Sequence, residues 1–123
     1  MIVPGNVIRF WSQEADKPKH HLCVSQDGHF LFVNSPKKRT YPGDLIVPCS
    51  DFPFLDPTPS GNSIISCSLV LRRTMADLER LQARLSGAVS AALLQKVFDF
   101  IENNPVLSEE EREPIITGLG DWL

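Results

Sequence analysis

Apolar positions along the chain change rhythm near residue 74. Before that point they fall in short runs rich in β-branched and aromatic residues; after it they recur every three or four positions. Val7-Ile8-Arg9-Phe10-Trp11 reads as a first strand, entered from Pro4-Gly5 and followed by a polar loop from Ser12 to Lys19. Leu22-Cys23-Val24-Ser25 and His29-Phe30-Leu31-Phe32-Val33 flank Gln26-Asp27-Gly28, and Asp-Gly suits a hairpin turn that needs positive φ. Asn34-Ser35-Pro36 closes the second arm, because proline disfavours continued pairing. A basic connector, Lys37-Lys38-Arg39-Thr40, leads through Tyr41-Pro42-Gly43-Asp44 to the run Leu45-Ile46-Val47, which Pro48 stops. From Ser50 to Asn62 the prolines 53, 57 and 59 and Gly61 exclude regular structure over most of the segment. Ser63 to Leu71 is a fifth β-prone stretch, ended by Arg72-Arg73.

Beyond Thr74 the period is helical. Leu78, Leu81 and Leu85 lie three and four apart, with Thr74 as N-cap and Asp77 at capping-box distance; Ser86-Gly87 breaks this short helix. Ser90 caps a second helix in which Leu94, Phe98 and Ile101 form one apolar stripe, ended by Asn103-Asn104-Pro105. Ser108-Glu109-Glu110-Glu111 is another capping box, although Pro114 is expected to keep that turn short or kinked. Five short strands followed by two or three helices predict an α+β, mainly β fold. The expected form is a small antiparallel sheet curled into a half-open barrel, with the Ser90 helix packed on it. Residues 1–103 are expected to form this barrel domain, and 104–123 a short helical acidic tail packed on it or extending from it.

Length and charge narrow the function. The 123 residues suffice for one domain with a modest core, and no apolar run approaches a membrane span. The opening Met1-Ile2-Val3-Pro4-Gly5 enters turn chemistry directly, so no leader and a cytoplasmic location are expected. The net charge of −3 hides an asymmetry: six Lys/Arg face four acids up to residue 50, and six face eleven acids after it. The first half, which also holds His20, His21 and His29, is the one suited to a polyanion. Cys23, Cys49 and Cys67 form no C-x-x-C pair and read as reduced thiols, with Cys23 beside His20-His21 the one nearest to a reactive setting. Phosphate-binding glycine loops, H-E-x-x-H and G-x-S-x-G are absent, and the histidines have no carboxylate at ligand spacing. No cofactor and no metal are therefore expected.

The remaining chemistry concentrates at two loops, Lys17-Pro18-Lys19-His20-His21 and Asn34-Ser35-Pro36-Lys37-Lys38-Arg39. If the hairpin pairs around Asp27-Gly28, its far ends meet, bringing His20 or His21 within reach of Asn34 and Ser35. An imidazole, a hydroxyl, an amide and several cations are parts for binding a phosphodiester and moving a proton.

These segments resemble the PemK/MazF family of toxin endoribonucleases, the toxin halves of type II toxin–antitoxin pairs. Pro4-Gly5-Asn6-Val7-Ile8 is similar to the family's P-G-D-[IV]-[IV] strand, and Lys19-His20-His21-Leu22-Cys23-Val24-Ser25 lies where it has R-P-A-[LV]-V-L-S. Val33-Asn34-Ser35 resembles V-x-[ST], and Ser68-Leu69-Val70-Leu71-Arg72 resembles S-x-[VI]-R; the likeness continues through the helix from Ala91 to Ile101. The resemblance implies a Src-homology-3-like barrel, a homodimer and an acidic antitoxin partner competing for the basic groove. It also implies metal-independent cleavage of single-stranded RNA, in which the ribose 2′-hydroxyl attacks the adjacent phosphate. Of the family's catalytic pair, an arginine and a Ser/Thr, Ser35 matches the second, and His20 stands about where the arginine is expected. The expected catalytic residues are therefore His20 and Ser35, with Lys17, Lys19, Asn34, Lys37, Lys38 and Arg39 holding RNA.

The departure at His20 leaves alternatives. Histidine can serve as general base or acid while the lysines supply charge. Without a forked, always-charged guanidinium, the barrel can instead be a catalytically silent binder of nucleic acid or protein. A third reading is an interaction domain whose acidic tail, Glu109 to Glu113, is the working part.

Overall fold

The computed structural model describes residues 2–123, so the Met1 end of the opening segment lies outside the described residues. Six strands form one antiparallel sheet: β1 (Asn6–Ser12), β2 (Lys17–Cys23), β3 (His29–Asn34), β4 (Asp44–Pro48), β5 (Asn62–Arg72) and β6 (Arg84–Ala88). Three helices complete the fold: α1 (Met75–Arg80) between β5 and β6, then α2 (Ala91–Asn103) and α3 (Glu109–Trp122). The strand order is β4-β5-β3-β2-β1-β6, which leaves β4 and β6 as edges. The α+β, mainly antiparallel class follows the sequence pattern.

The β2–β3 hairpin closes where Asp27-Gly28 predicts it, with Leu22 opposite Leu31 and Cys23 opposite Phe30. Gly28 has φ +87, and a Cβ there would sit 2.2 Å from the Arg73 carbonyl oxygen, so only glycine fits. The Arg73 N–H donates to the Gly28 carbonyl at 2.9 Å, tying the end of β5 to the turn.

Two boundaries differ from the pattern. The expected loop from Ser12 to Lys19 is shorter: its two ends are strand and only residues 13–16 form the turn. The Ala15 N–H donates to Ser12 Oγ at 3.0 Å and Asp16 takes φ +54, so the chain reverses between residues 13 and 16 and β2 begins at Lys17. The short helix α1 stops at Arg80, so Leu85, expected on its apolar stripe, and Ser86-Gly87, expected to break it, lie instead in strand β6, paired with β1 through Arg9 opposite Arg84, Ile8 opposite Leu85 and Val7 opposite Gly87. Its partner is distant in sequence, and its glycine is required because a Cβ at Gly87 would stand 2.4 Å from the Phe54 ring.

Both sheet faces are covered. Val7, Leu22, Val24, Leu31, Val33, Ile65 and Cys67 pack against α2 and α3 through Leu93, Leu94, Val97, Ile101, Ile115 and Leu119. Ile8, Phe10, Cys23, Phe30, Phe32 and Leu71 form a smaller core on the other face, capped by Leu78 of α1. The predicted caps are present: Thr74 and Asp77 form a capping box, Ser90 Oγ accepts from the Leu93 N–H, and Ser108 and Glu111 form a second box. Pro114 does not shorten α3, which runs to Trp122, because Ile115 and Leu119 four residues apart are both buried and hold the helix on the sheet. Truncating Ile115 to alanine should cost about 2–5 kcal/mol in chemical denaturation. A smaller loss would show that α3 is not integral to the core.

Candidate functional site

In an antiparallel pair, directly opposite residues share a face and successive residues alternate faces. His21 lies opposite Phe32 and Ile8, and His20 opposite Val33 and Arg9. Lys19 is therefore on the face of His21, and His20 is on the other. Lys19 Nζ donates to Asn34 Oδ1 and lies 5.4 Å from the centre of the Phe32 ring, while Asn34 Nδ2 donates to Ser66 Oγ at 2.9 Å.

Beside this network a cleft of about 190 Å³ opens between the end of β3 and the β4–β5 pair. Asn34, Ser35, Lys37 and Arg39 line one side, and Asp44, Ser66 and Ser68 the other. The connector from β3 is pinned there: the Cys67 N–H donates to the Gly43 carbonyl at 2.7 Å, and a Cβ on Gly43 would meet Ser68 Cβ at 2.7 Å. Arg39 lies over the Tyr41 ring at 5.4 Å, and Asp44 accepts from the Tyr41 N–H at 3.0 Å. Among the described residues, Lys17, Lys19, Lys37, Lys38 and Arg39 form no ion pair. Burial, followed by the charges of Lys17 and Lys37, holds the Lys19 ammonium below the ordinary lysine value. Lys37 and Arg39 in the cleft, with Lys19 bonded to the cleft residue Asn34, are cations without a bonded carboxylate, which favours an anion there.

A larger hollow, about 360 Å³, lies between the hairpin turn and α3, but Asp27, Glu113 and Asp121 line it. That charge repels a polyanion, so volume alone does not choose the site.

Of the expected site residues, the structure brings together Lys19, Asn34, Ser35, Lys37 and Arg39; Lys17 shares the face of Lys19 on β2, and Lys38 does not line the cleft. His20 does not line it either. The expected meeting of an imidazole with Asn34 is corrected: β2 starts earlier than the polar run suggests, and strand alternation delivers Lys19 to Asn34 in its place. Half-buried His20 is held below the ordinary histidine value, first by burial and then by Arg9 and Lys19. The sequence reading missed Ser66, Ser68 and Asp44 as cleft residues; the alternation Ser66-x-Ser68 in an otherwise apolar strand was the available signal.

The other titratable groups are structural. His21 is fully buried, its ring stacked on Phe10 with centroids 3.6 Å apart and planes 9° apart. Neither ring nitrogen makes a hydrogen bond of proper geometry, although backbone groups of Ile8 and Lys19 lie near enough to favour the charged form. Burial outweighs them and holds the imidazole at about 4. His29 Nδ1 and Ser25 Oγ are 2.6 Å apart within the turn. Cys23 is not the reactive thiol that its neighbours in sequence suggest, since burial pushes it up to about 11. Burial likewise pushes Cys67 up to about 12, whereas hydrogen bonds from Thr58 lower Cys49. Among the described residues no group of His, Cys, Asp and Glu is arranged to hold a metal, and no helix is long and apolar enough to cross a membrane. Comparison with protein families, with curated proteins and with solved structures returns no match.

His21 makes stability depend on pH with a definite sign. The unfolded chain takes up the proton near 6.5 and the folded chain only near 4, so stability is complete above 6.5 and falls as pH drops through that window. The loss should approach about 3 kcal/mol. Denaturation midpoints measured across pH 4 to 7 should show it in the wild type and lose most of it in His21→Phe; an equal slope in both proteins would assign it elsewhere.

Proposed function

We propose that the protein is a PemK/MazF-like endoribonuclease with a Src-homology-3-like barrel, and that single-stranded RNA lies in the cleft beside Ser35. The observation that carries this reading is the convergence of Asn34, Ser35, Lys37 and Arg39 on one cleft, with Lys19 from a second chain segment bonded to Asn34 and no carboxylate bonded to any of the cations. Phosphate contacts come from Lys37, Arg39 and Lys17, and Tyr41, exposed at the cleft and backed by Arg39, offers a ring on which a base stacks.

The chemistry on this reading needs no metal. The ribose 2′-oxygen attacks phosphorus and the bond to the 5′-oxygen breaks, leaving a 2′,3′-cyclic phosphate and a free 5′-hydroxyl. The 2′-hydroxyl loses its proton and the departing oxygen gains one. Lys19, the cation that reaches Asn34, stabilises charge on the pentacoordinate phosphorus, and the Ser35 hydroxyl bonds a non-bridging oxygen. Asp44 across the cleft disfavours phosphate close to itself and so keeps the backbone toward Lys37 and Arg39. In this scheme a homodimer and an acidic antitoxin segment that competes with RNA for the cleft are the protein partners.

One observation favours a second reading, a silent RNA-binding barrel. The imidazole of His20 is on the other sheet face, and a lysine ammonium lacks the two-pronged fork of arginine. Incubating a long RNA in EDTA with the wild type, Ser35→Ala, Lys19→Ala and His20→Ala separates the two. Cutting by the wild type should fall about 10²–10³-fold in Ser35→Ala and Lys19→Ala, and remain unchanged in His20→Ala. Binding without cutting selects the silent barrel, and no binding discards both. For the wild type the logarithm of affinity should fall steeply with salt, and Lys37→Ala should reduce that slope by about one.

A further inference from the structure

The face of the sheet turned away from Lys19 carries a second cationic feature. Arg9 lies opposite His20 on β2 and opposite Arg84 on β6, so three adjacent strands place His20, Arg9 and Arg84 in one row. Opposite side chains in such a ladder have Cβ atoms about 5 Å apart, and like charges so placed are destabilising. Among the described residues neither arginine makes an ion pair or a side-chain hydrogen bond, and both are exposed. The row ends at β6, an edge strand paired with β1 alone. On the opposite face of that same edge, Ile2, Ile8, Met75, Leu78, Ala83 and Leu85 line a mainly apolar groove of about 270 Å³, its lining completed by Asn6 and Glu79. Met75 and Leu85 there are 52% and 65% exposed.

From this juxtaposition we infer that β6 is a docking edge for an extended peptide in which acidic and apolar residues alternate. A strand added to β6 sends successive side chains to opposite faces. A carboxylate opposite Arg84 completes the row His20–Arg9–Arg84 with the charge it lacks. The neighbouring residue, opposite Leu85, enters the apolar groove, and backbone hydrogen bonds satisfy the open edge.

Other occupants fit less well. Arg84-Leu85-Ser86-Gly87-Ala88 contains no carboxylate, so β6 of a second copy brings only more positive charge. The other edge, β4, offers a single acid, Asp44, already engaged by the Tyr41 N–H, and ends in Pro48, which has no donor. The acidic run of the chain itself, Glu109 to Glu113, is held in α3, whose Ile115 and Leu119 are fully buried. A nucleic acid can use the cationic row but has no use for the apolar groove.

The inference does not depend on RNA in the Ser35 cleft. Its test uses fluorescent peptides of about six residues, an ordinary strand length, alternating Glu with Leu, Ile or Val. One comparison set has Lys in place of Glu, and another has the acids grouped instead of alternating. The alternating acidic peptides should bind by fluorescence anisotropy and protect the amides of residues 84–88 from hydrogen exchange. Arg84→Glu should weaken binding at this edge about tenfold, and Leu85→Asp should weaken it as well. Both Arg84 and Leu85 are exposed, and thermal melting of the variants checks that they fold. The proposal is overturned if none of the acidic peptides binds at millimolar concentration, or if the lysine or grouped sets bind as well. It is overturned equally if binding leaves residues 84–88 unprotected or is indifferent to Arg84→Glu. An oligouridylate, or a second copy of the chain detected by sedimentation, that takes the edge in an Arg84-dependent way while the peptides do not would reassign it.

Discussion

A strand buried on both faces has no neutral side for a polar residue, and β2 meets that constraint at three successive positions. Lys19 goes to the face of the small core and escapes burial at its margin by reaching Asn34. His20 goes to the helix face and stays half-buried beside Arg9. His21 returns to the small core and is trapped there, stacked on Phe10 with unsatisfied nitrogens. Each destination follows from the register of β2 against β1 and β3, and a one-residue slip would exchange all three. The register in turn rests on the tight hairpin at Gly28 and on the apolar pairs Leu22–Leu31 and Cys23–Phe30.

The same alternation organises charge. The sheet separates its cations into two groups on opposite faces, one at the cleft beside Ser35 and one along the row that ends at Arg84. Asp27, Glu113 and Asp121 instead line the hollow between the hairpin turn and α3. A net charge of −3 therefore coexists with locally positive surfaces: Arg73, Arg80 and Lys96 pair with Glu14, Asp77 and Asp51, whereas the cations at the cleft and in the row ending at Arg84 have no bonded carboxylate. Leaving cations unpaired forgoes little, since exposed ion pairs contribute at most about 1 kcal/mol. Stability comes instead from the two apolar layers, from the capped helices and from the anchoring of α3 by Ile115 and Leu119.

Much of this architecture was legible in the residues themselves. The start of helix at Thr74, the Asp27-Gly28 turn and the three serine or threonine caps are local signals set by backbone sterics and hydrogen-bond chemistry, and the structure has each of them, although the helical spacing that ran on to Leu85 gives way to strand after Arg80. The concentration of Asn34, Ser35, Lys37 and Arg39 near one strand end was equally visible, since sequence neighbours cannot be far apart. What tertiary structure alone decided depends on partners distant in the chain. Strand β6 exists because Arg84–Ala88 finds β1. Pro114 is tolerated because Ile115 and Leu119 find a core. Lys19 instead of His20 stands beside Asn34 because strand parity, fixed by where pairing begins, chooses one residue and turns its neighbour away.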